Sequence, residues 1–279
     1  MSFIESDQMK IGILIPCYNV EHSIREVLRA FPEDVLQKVA QVVAVDNGST
    51  DSTRQILSEI QATGDELGKR LVVIVNAQNY GLGGSQKIAY AYFMANGFSH
   101  FFIVHGDGQG DAGMISRAFF NVLDKKPDVD FIVASRFMRG SDTAAYNRLR
   151  VMGNHVFNFL TFLCTGHWMS DSGAGIIFLR VEVLKRIPFR ELTNSFQFNP
   201  QLSILLFNLK GLKIVETPLI WRDSRDGSNI SSLNYCMTLL KILLQYRWSQ
   251  TFGREADAVR ISKEFPEGFI YQVLQRQNN

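Results

Sequence analysis

His105, Asp107 and Gln109, in the stretch Phe101–Asp111 (FFIVHGDGQGD), set an imidazole, a carboxylate and a carboxamide at every second position. Alternate side chains of an extended chain share one side, so the three are expected to project together. Gly106, Gly108 and Gly110 between them let the backbone bend or approach a ligand closely. Nitrogen and oxygen donors converging at a strand end make a site for Mn²⁺ or Mg²⁺; the alternative is a glycine-rich turn with solvated polar groups. Similar polar, Gly- or Asn-containing segments end earlier apolar runs: PCYN at 16–19, DNGSTD at 46–51 and NYGLGG at 79–84. Segments that only connect elements need not be this rich in Gly and Asp after every run. The recurrence therefore points to one site assembled from several chain tips.

The apolar runs that carry these tips are short and β-rich: Lys10–Cys17, Gln41–Val45, Leu71–Val75, Phe101–Val104 and Phe131–Ala134. Helical spacing is expected between them, at Glu21–Phe31, Asp51–Ile60 and through Ala89–Met94. Strands alternating with helices predict an α/β domain with a mainly parallel sheet and helices on both faces. Ligands in such folds sit outside the carboxyl ends of the strands, where the polar tips lie. Further on, the pattern predicts a Phe- and Leu-rich helix over Val151–Cys164, a strand over Ile176–Arg180 and a helix start at Val181. A helix over Phe196–Leu209, a strand over Leu212–Glu216 and a long helix over Leu233–Trp248 follow. Residues 253–279 read as weakly structured, or as a short helix around Phe269–Leu274.

Composition narrows the function classes. With 46% hydrophobic and 20% charged residues the chain is that of a folded protein. A net charge of +2 without a basic block gives no indication of nucleic acid binding. Three widely spaced cysteines (Cys17, Cys164, Cys236) supply neither a disulfide framework nor a zinc motif, and fit a reducing cytoplasm. The N-terminus lacks a signal-peptide order and no run of 18 apolar residues occurs, so a cytoplasmic protein is expected, peripheral on the inner face of a membrane if associated at all. No dinucleotide fingerprint, P-loop or nucleophile elbow is present.

Six segments, in order, resemble the family 2 inverting glycosyltransferases, and most of all their polyprenyl-phosphate sugar synthase branch. Pro16–Glu21 (PCYNVE) is similar to P-x-Y-N-E-E. Val45–Asp51 (VDNGSTD) is similar to V-D-D-G-S-x-D, with Asn47 in place of the second Asp. Asn79–Gly84 matches an N-x-G-x-G-x turn, and His105–Gln109 falls where the family carries D-x-D-x-Q. Ser135–Gly140 (SRFMRG) resembles S-R-[FY]-x-x-G, and Asp171-Ser172-Gly173 falls at an Asp-containing acceptor motif. The resemblance spans roughly Lys10–Ser231 and implies the GT-A fold. It divides the chain into a catalytic domain, 1–232, and a C-terminal apolar amphipathic helix and tail, 233–279.

The resemblance implies a nucleotide-sugar donor, UDP- or GDP-linked, and an acceptor that includes polyprenyl phosphates among its candidates. On that basis Pro16, Tyr18, Asn19 and Glu21 line the donor, with Tyr18 stacking on the base and Glu21 on its edge or the ribose. Asp46 accepts an imide N–H of uracil or guanine, a helix cap being the alternative. The Gly81–Gly84 turn, with Gly83, brings backbone N–H groups to the ligand, and Lys87 either reaches it or is a solvated helix lysine. His105, Asp107 and Gln109 hold the ion, and His105 in place of an acid tilts preference toward Mn²⁺, unless His105 does not ligate. Arg136 and Arg148 are phosphate clamps, pairing with a neighbouring carboxylate being the alternative, and Asp171 is the general base for a hydroxyl acceptor, or only positions a lipid-phosphate one, a turn residue or helix cap being the alternative. Arg225, within Trp221–Ser228, belongs to a basic loop over the donor phosphates. A polar stripe of Asn234, Thr238, Lys241 and Gln245 leaves the rest of Leu233–Trp248 apolar, for the core, a homodimer or a membrane surface. The competing readings are a nucleotide-sugar-binding domain without turnover and a nucleotidyltransferase.

Overall fold

The computed structural model describes residues 9–144, 146–221, 232–252 and 268–274. In chain order the strands and helices are β1 (Ile11–Cys17), α1 (Ile24–Arg29), α2 (Glu33–Lys38), β2 (Gln41–Asp46), α3 (Thr53–Gln61), α4 (Glu66–Arg70) and β3 (Leu71–Asn76). Then come α5 (Gly81–Ala95), β4 (His100–Ile103), α6 (Ala112–Lys125), β5 (Phe131–Ser135), α7 (Arg148–Thr165), β6 (Ile177–Arg180) and α8 (Val181–Leu184). The last are α9 (Phe198–Phe207), β7 (Ile214–Pro218), α10 (Ser232–Phe252) and β8 (Tyr271–Val273).

The eight strands form one sheet in the order β7-β5-β6-β4-β1-β2-β3-β8. β1, β2, β3 and β4 run parallel, as do β5 and β7, while β6 lies antiparallel between β4 and β5. Central strands are buried on both faces, which is why they read as continuous apolar runs. Leu14, Val43 and Val45 pack on one side with α5, α7, α9 and α10. Ile13, Ile15, Val42 and Ala44 pack on the other with α1, α3 and α6. The expected mainly parallel sheet with helices on both faces is what forms.

β2 and β3 lie to one side of β1 and β4 to the other, so the strand order reverses between β1 and β4. The crevice outside their carboxyl ends is the place where such sheets bind ligands. Both expected tips, PCYN and HGDGQGD, meet there.

Several elements differ from expectation. α6 was not anticipated, although Ile115, Phe119, Phe120 and Leu123 bury one face of it. α5 begins at Gly81 itself, so the glycines read as a turn form its first helical turn. The expected helix near Phe269–Leu274 is instead β8, antiparallel on the β3 edge, with Tyr80 and Phe269 stacked at 4.4 Å. The long C-terminal helix shares the main core through Leu239, Ile242, Leu243 and Tyr246. No helix among the described residues is long and apolar enough to cross a membrane.

Candidate active site

The tips of β1, β2 and β3 are joined by polar side chains. Asn19, the one described non-glycine residue with positive φ (51°), donates its N–H to Ser49 Oγ (3.0 Å) and accepts from Thr50 N–H through Oδ1 (2.9 Å). The left-handed backbone that Asn tolerates thus turns the β1 tip onto the β2 tip. Glu21 N–H donates to Asp51 (3.1 Å), and the Glu21 carboxylate accepts from Ser52 N–H (2.9 Å). Asn47, which is buried, donates from Nδ2 to Asn79 Oδ1 (2.8 Å) and accepts from Asn76 Nδ2 and Tyr80 N–H (both 2.9 Å). An aspartate could not make the first of these bonds, which gives a physical reason for Asn at the departure noted in the sequence.

Asp46 is fully buried: Oδ1 accepts from Ser49 N–H (2.9 Å) and Oδ2 from Arg54 Nε (2.9 Å). Glu21 and Asp46, expected to face the base, thus have structural partners first. Tyr18 is exposed at the mouth of the crevice, as stacking on a base requires, and Pro16 underlies it with its carbonyl on Gly106 N–H (3.4 Å). Burial pushes the Cys17 thiol well up, and the charges of Asp46, Asp107 and Asp51 push it further. The floor of the crevice is therefore a region of negative field.

The expected common side of His105, Asp107 and Gln109 does not exist. The strand ends at Ile103, the chain turns at Gly106-Asp107, and Gly108 takes a left-handed φ of +71°. His105 turns inward. Its ring lies edge-on to Trp221 (6.4 Å between centroids), and a Cβ on Gly175 would come within 2.9 Å of its Nε2. Asp107 instead accepts from Gln109 N–H (3.1 Å) beside the β1 tip. Among the described residues no three His, Cys, Asp or Glu side chains gather as a metal cluster. Asp107 in a negative crevice nonetheless fits a hard divalent ion that draws most of its oxygens from phosphates and water. His105 Nε2 is buried beside Gly175 and has no hydrogen-bond partner among the described residues.

The second part of the site lies beyond β5. Arg136 donates from Nε to Asp171 Oδ2 (2.7 Å) and from Nη2 to Asp171 Oδ1 (2.8 Å), and its backbone N–H also reaches Oδ2 (3.0 Å). The rings of Phe137, Tyr146 and Trp221 surround the guanidinium at 5.1, 5.8 and 5.5 Å. Burial works against this cation, but the Asp171 charge and hydrogen bonds outweigh it and raise its pKa above the ordinary arginine value. Asp171 is 1% exposed, and both its oxygens are given to Arg136. A carboxylate so engaged holds the guanidinium in place.

What holds this pair was missed in the sequence. Asn158 of α7 donates to Ser170 O (2.6 Å) and accepts from Ser172 N–H (2.9 Å), clamping the turn on both sides of Asp171. One helical turn earlier, Asn154 accepts from Arg136 Nη2 (3.4 Å). The Glu216 carboxylate accepts from Ser170 N–H (2.9 Å) and Oγ (2.5 Å), so in the 2.6 Å contact between Ser135 and Ser170 hydroxyls Ser135 is the donor. The available signal was a pair of asparagines four apart in a helix otherwise rich in Phe and Leu.

Two further expectations change, at Lys87 and Gly83. Lys87 is neither solvated nor at the crevice: it is fully buried, its ammonium bonded to Leu192 O and to Asn194 Oδ1 (2.7 Å). Gly83 lies inside α5, where a Cβ would meet Thr193 O at 2.4 Å, so its smallness admits the 193–198 segment and not a ligand. Arg148 is the exposed first residue of α7, and among the described residues no hydrogen bond or ion pair joins it to Arg136 or Asp171. Arg225 lies outside the described residues.

Comparison with known proteins places this geometry. The sequence pattern of Glycosyl transferase family 2 matches residues 12–188. A dolichyl-phosphate beta-glucosyltransferase of Saccharomyces cerevisiae is 24% identical over 265 residues, covering 89% of this chain and 77% of that protein. A UDP-N-acetylglucosamine–dolichyl-phosphate N-acetylglucosaminyltransferase of Methanococcus voltae is 23% identical over 174 residues, 60% of this chain and 67% of that protein. Among solved structures, glucosyl-3-phosphoglycerate synthase from Mycobacterium tuberculosis, in complex with Mn²⁺, uridine diphosphate and phosphoglyceric acid, superposes with a TM-score of 0.61 at 14% identity, covering 96% of this chain and 88% of that one. At that identity the likeness speaks for the GT-A fold alone.

Proposed function

The chain belongs to glycosyl transferase family 2 and is a glycosyltransferase of the GT-A fold; from that premise we propose that it moves a hexosyl group, with inversion, from a uridine-linked nucleotide sugar to a polyprenyl phosphate. One observation carries the acceptor class: Asp171 spends both oxygens on Arg136. A hydroxyl acceptor needs a base to take its proton, whereas a phosphate acceptor is already anionic and needs a cation to receive it. Arg136 meets Asp171 through Nε and Nη2, which leaves Nη1 to donate to a phosphate oxygen. Names of the yeast and archaeal relatives, which act on dolichyl phosphate, support the same choice, and the uridine donor is supported by the archaeal relative and by the nucleotide bound in the mycobacterial structure.

In this reading the donor enters the β1/β4 crevice with its base at Tyr18 and its diphosphate toward Asp107. Asp107 would hold a Mn²⁺ or Mg²⁺ ion, which when bound would supply charge neutralisation for the diphosphate. Arg136 orients a phosphate oxygen of the acceptor behind the anomeric carbon. That oxygen forms its bond to carbon as the bond to the nucleoside diphosphate breaks on the opposite side, and no proton is transferred. The neighbouring carboxylates Asp46, Asp51 and Asp171 are bonded within the protein, so a covalent glycosyl-enzyme has no nucleophile among them, and a single displacement inverts configuration. The protein works at the cytoplasmic face of a membrane, as a peripheral protein.

Turnover of a UDP-hexose on a short-chain polyprenyl phosphate and on the matching polyprenol tests this. The phosphate is glycosylated and the alcohol is not; the reverse would overturn the acceptor assignment. Calorimetry of UDP binding, with Mn²⁺ or Mg²⁺, loses its metal dependence in Asp107→Ala; retention of that dependence would remove Asp107 from the metal site.

A further inference from the structure

The described surface carries an apolar stripe that neither the core nor the site uses. On α7, Leu149, Met152, Val156, Phe159 and Leu163 recur at alternating spacings of three and four, one line along the helix, and each is more than half exposed. The opposite face of the same helix is buried through Phe157, Asn158 and Thr161. α10 packs beside α7 and repeats the arrangement: Leu239, Ile242, Leu243 and Tyr246 are in the core, while Met237, Leu244 and Trp248 stand in solvent. Trp168, just past the end of α7, is also exposed.

Charge identifies the occupant. Residues 148–165 and 232–252 contain Arg148, Arg150, Lys241 and Arg247 and not one Asp or Glu. A second copy of the same surface would bring cations against cations with no carboxylate to pair them. An anionic lipid surface complements them, and exposed Trp, Phe and Leu beside Lys and Arg are the side chains that enter the headgroup boundary.

We propose that the outer face of α7, continued by α10, docks on an anionic bilayer and so sets Arg136 at the depth of the acceptor phosphate. The purpose assigned to this surface rests on the polyprenyl-phosphate reading above. The coupling is direct: Asn154 and Asn158, on the inner side of the docked helix, hold Arg136 and the Asp171 turn. An acceptor whose chain remains in the membrane can then bring its phosphate to the guanidinium without leaving the lipid.

Flotation of the full chain with vesicles of phosphatidylcholine alone, or mixed with phosphatidylglycerol, tests the docking without any substrate. Wild type floats with the anionic vesicles, and V156D/F159D, whose side chains are exposed, loses at least about tenfold of that binding with its melting temperature retained. K241E/R247E loses the preference for phosphatidylglycerol while keeping the apolar stripe. Three outcomes overturn the proposal: wild type that does not float, V156D/F159D that floats like wild type, or a wild-type dimer in sedimentation velocity that V156D/F159D disperses. Wild-type turnover on the water-soluble short-chain phosphate is read separately. Failure there with flotation intact removes the acceptor reading and leaves the docking; failure of flotation with turnover intact does the opposite.

Discussion

At the tips of β1, β2 and β3, polar side chains are spent largely on one another: Asn19 on Ser49 and Thr50, Glu21 on Ser52, Asn47 on Asn76 and Asn79. Beyond β5 a single cation, Arg136, is held by one carboxylate and by Asn154 of α7, while Asn158 of the same helix clamps the turn that carries the carboxylate. The first region is cross-linked between strands of a buried sheet, so its shape is set before any ligand arrives. The second depends on α7, whose outer face is in solvent, so whatever seats α7 also seats Arg136. A rigid donor half and an acceptor half answerable to a surface suit an enzyme whose two substrates come from water and from lipid.

The largest effect expected from breaking this contrast is at the ion pair. Asp171→Ala leaves a largely buried guanidinium without its carboxylate and costs about 3 kcal/mol of stability, measured by urea unfolding, with turnover falling alongside. A change of under about 0.5 kcal/mol would mean that solvent compensates Arg136 and that the pair is not what orders this half.

Next is the donor half. Asn47→Asp removes the donor to Asn79 Oδ1 and sets two acceptors face to face in a buried position, a loss of about 1–3 kcal/mol. The resemblance has Asp here, so a variant as stable as wild type would show that the tips are not held by this network.

A smaller loss is expected at Gly175, beside His105. Gly175→Ala places a methyl within 2.9 Å of His105 and 3.0 Å of Asn199 Nδ2, at a cost of about 1–2 kcal/mol. The double variant Gly175→Ala/His105→Ala recovers part of that cost in a double-mutant cycle. Strict additivity would mean that His105 does not press on Gly175 in solution.

The smallest effect belongs to the far end of β4, away from the site. Burial, with Arg180 nearby, pushes His100 down to about 4 from its ordinary 6.5. Because the folded pKa is depressed, the unfolded chain takes up a proton first, and stability present above 6.5 is lost progressively as pH falls toward 4. The melting temperature should drop between about pH 7 and about pH 5, and drop less in His100→Phe, which keeps the stack on Phe178. Equal drops would assign the pH dependence elsewhere.

The order of the central strands, their mainly parallel arrangement and the end of the sheet that carries the polar tips were legible in the chain, because buried parallel strands must be apolar throughout and the polar residues must then fall at their tips. The positions of Asp107, Tyr18 and Arg136 just past strand ends were legible for the same reason. Tertiary structure alone decided what those residues do. An alternating pattern predicts a shared side only while the chain stays extended, and at Gly106 it turns, sending His105 inward. Lys87 looked like a surface residue of α5 until the 192–194 segment, more than a hundred positions on, closed over it. Asp171 and Arg136 are thirty-five residues apart; each alone reads as a free charge, and only their meeting turns a base and a clamp into one positioned cation.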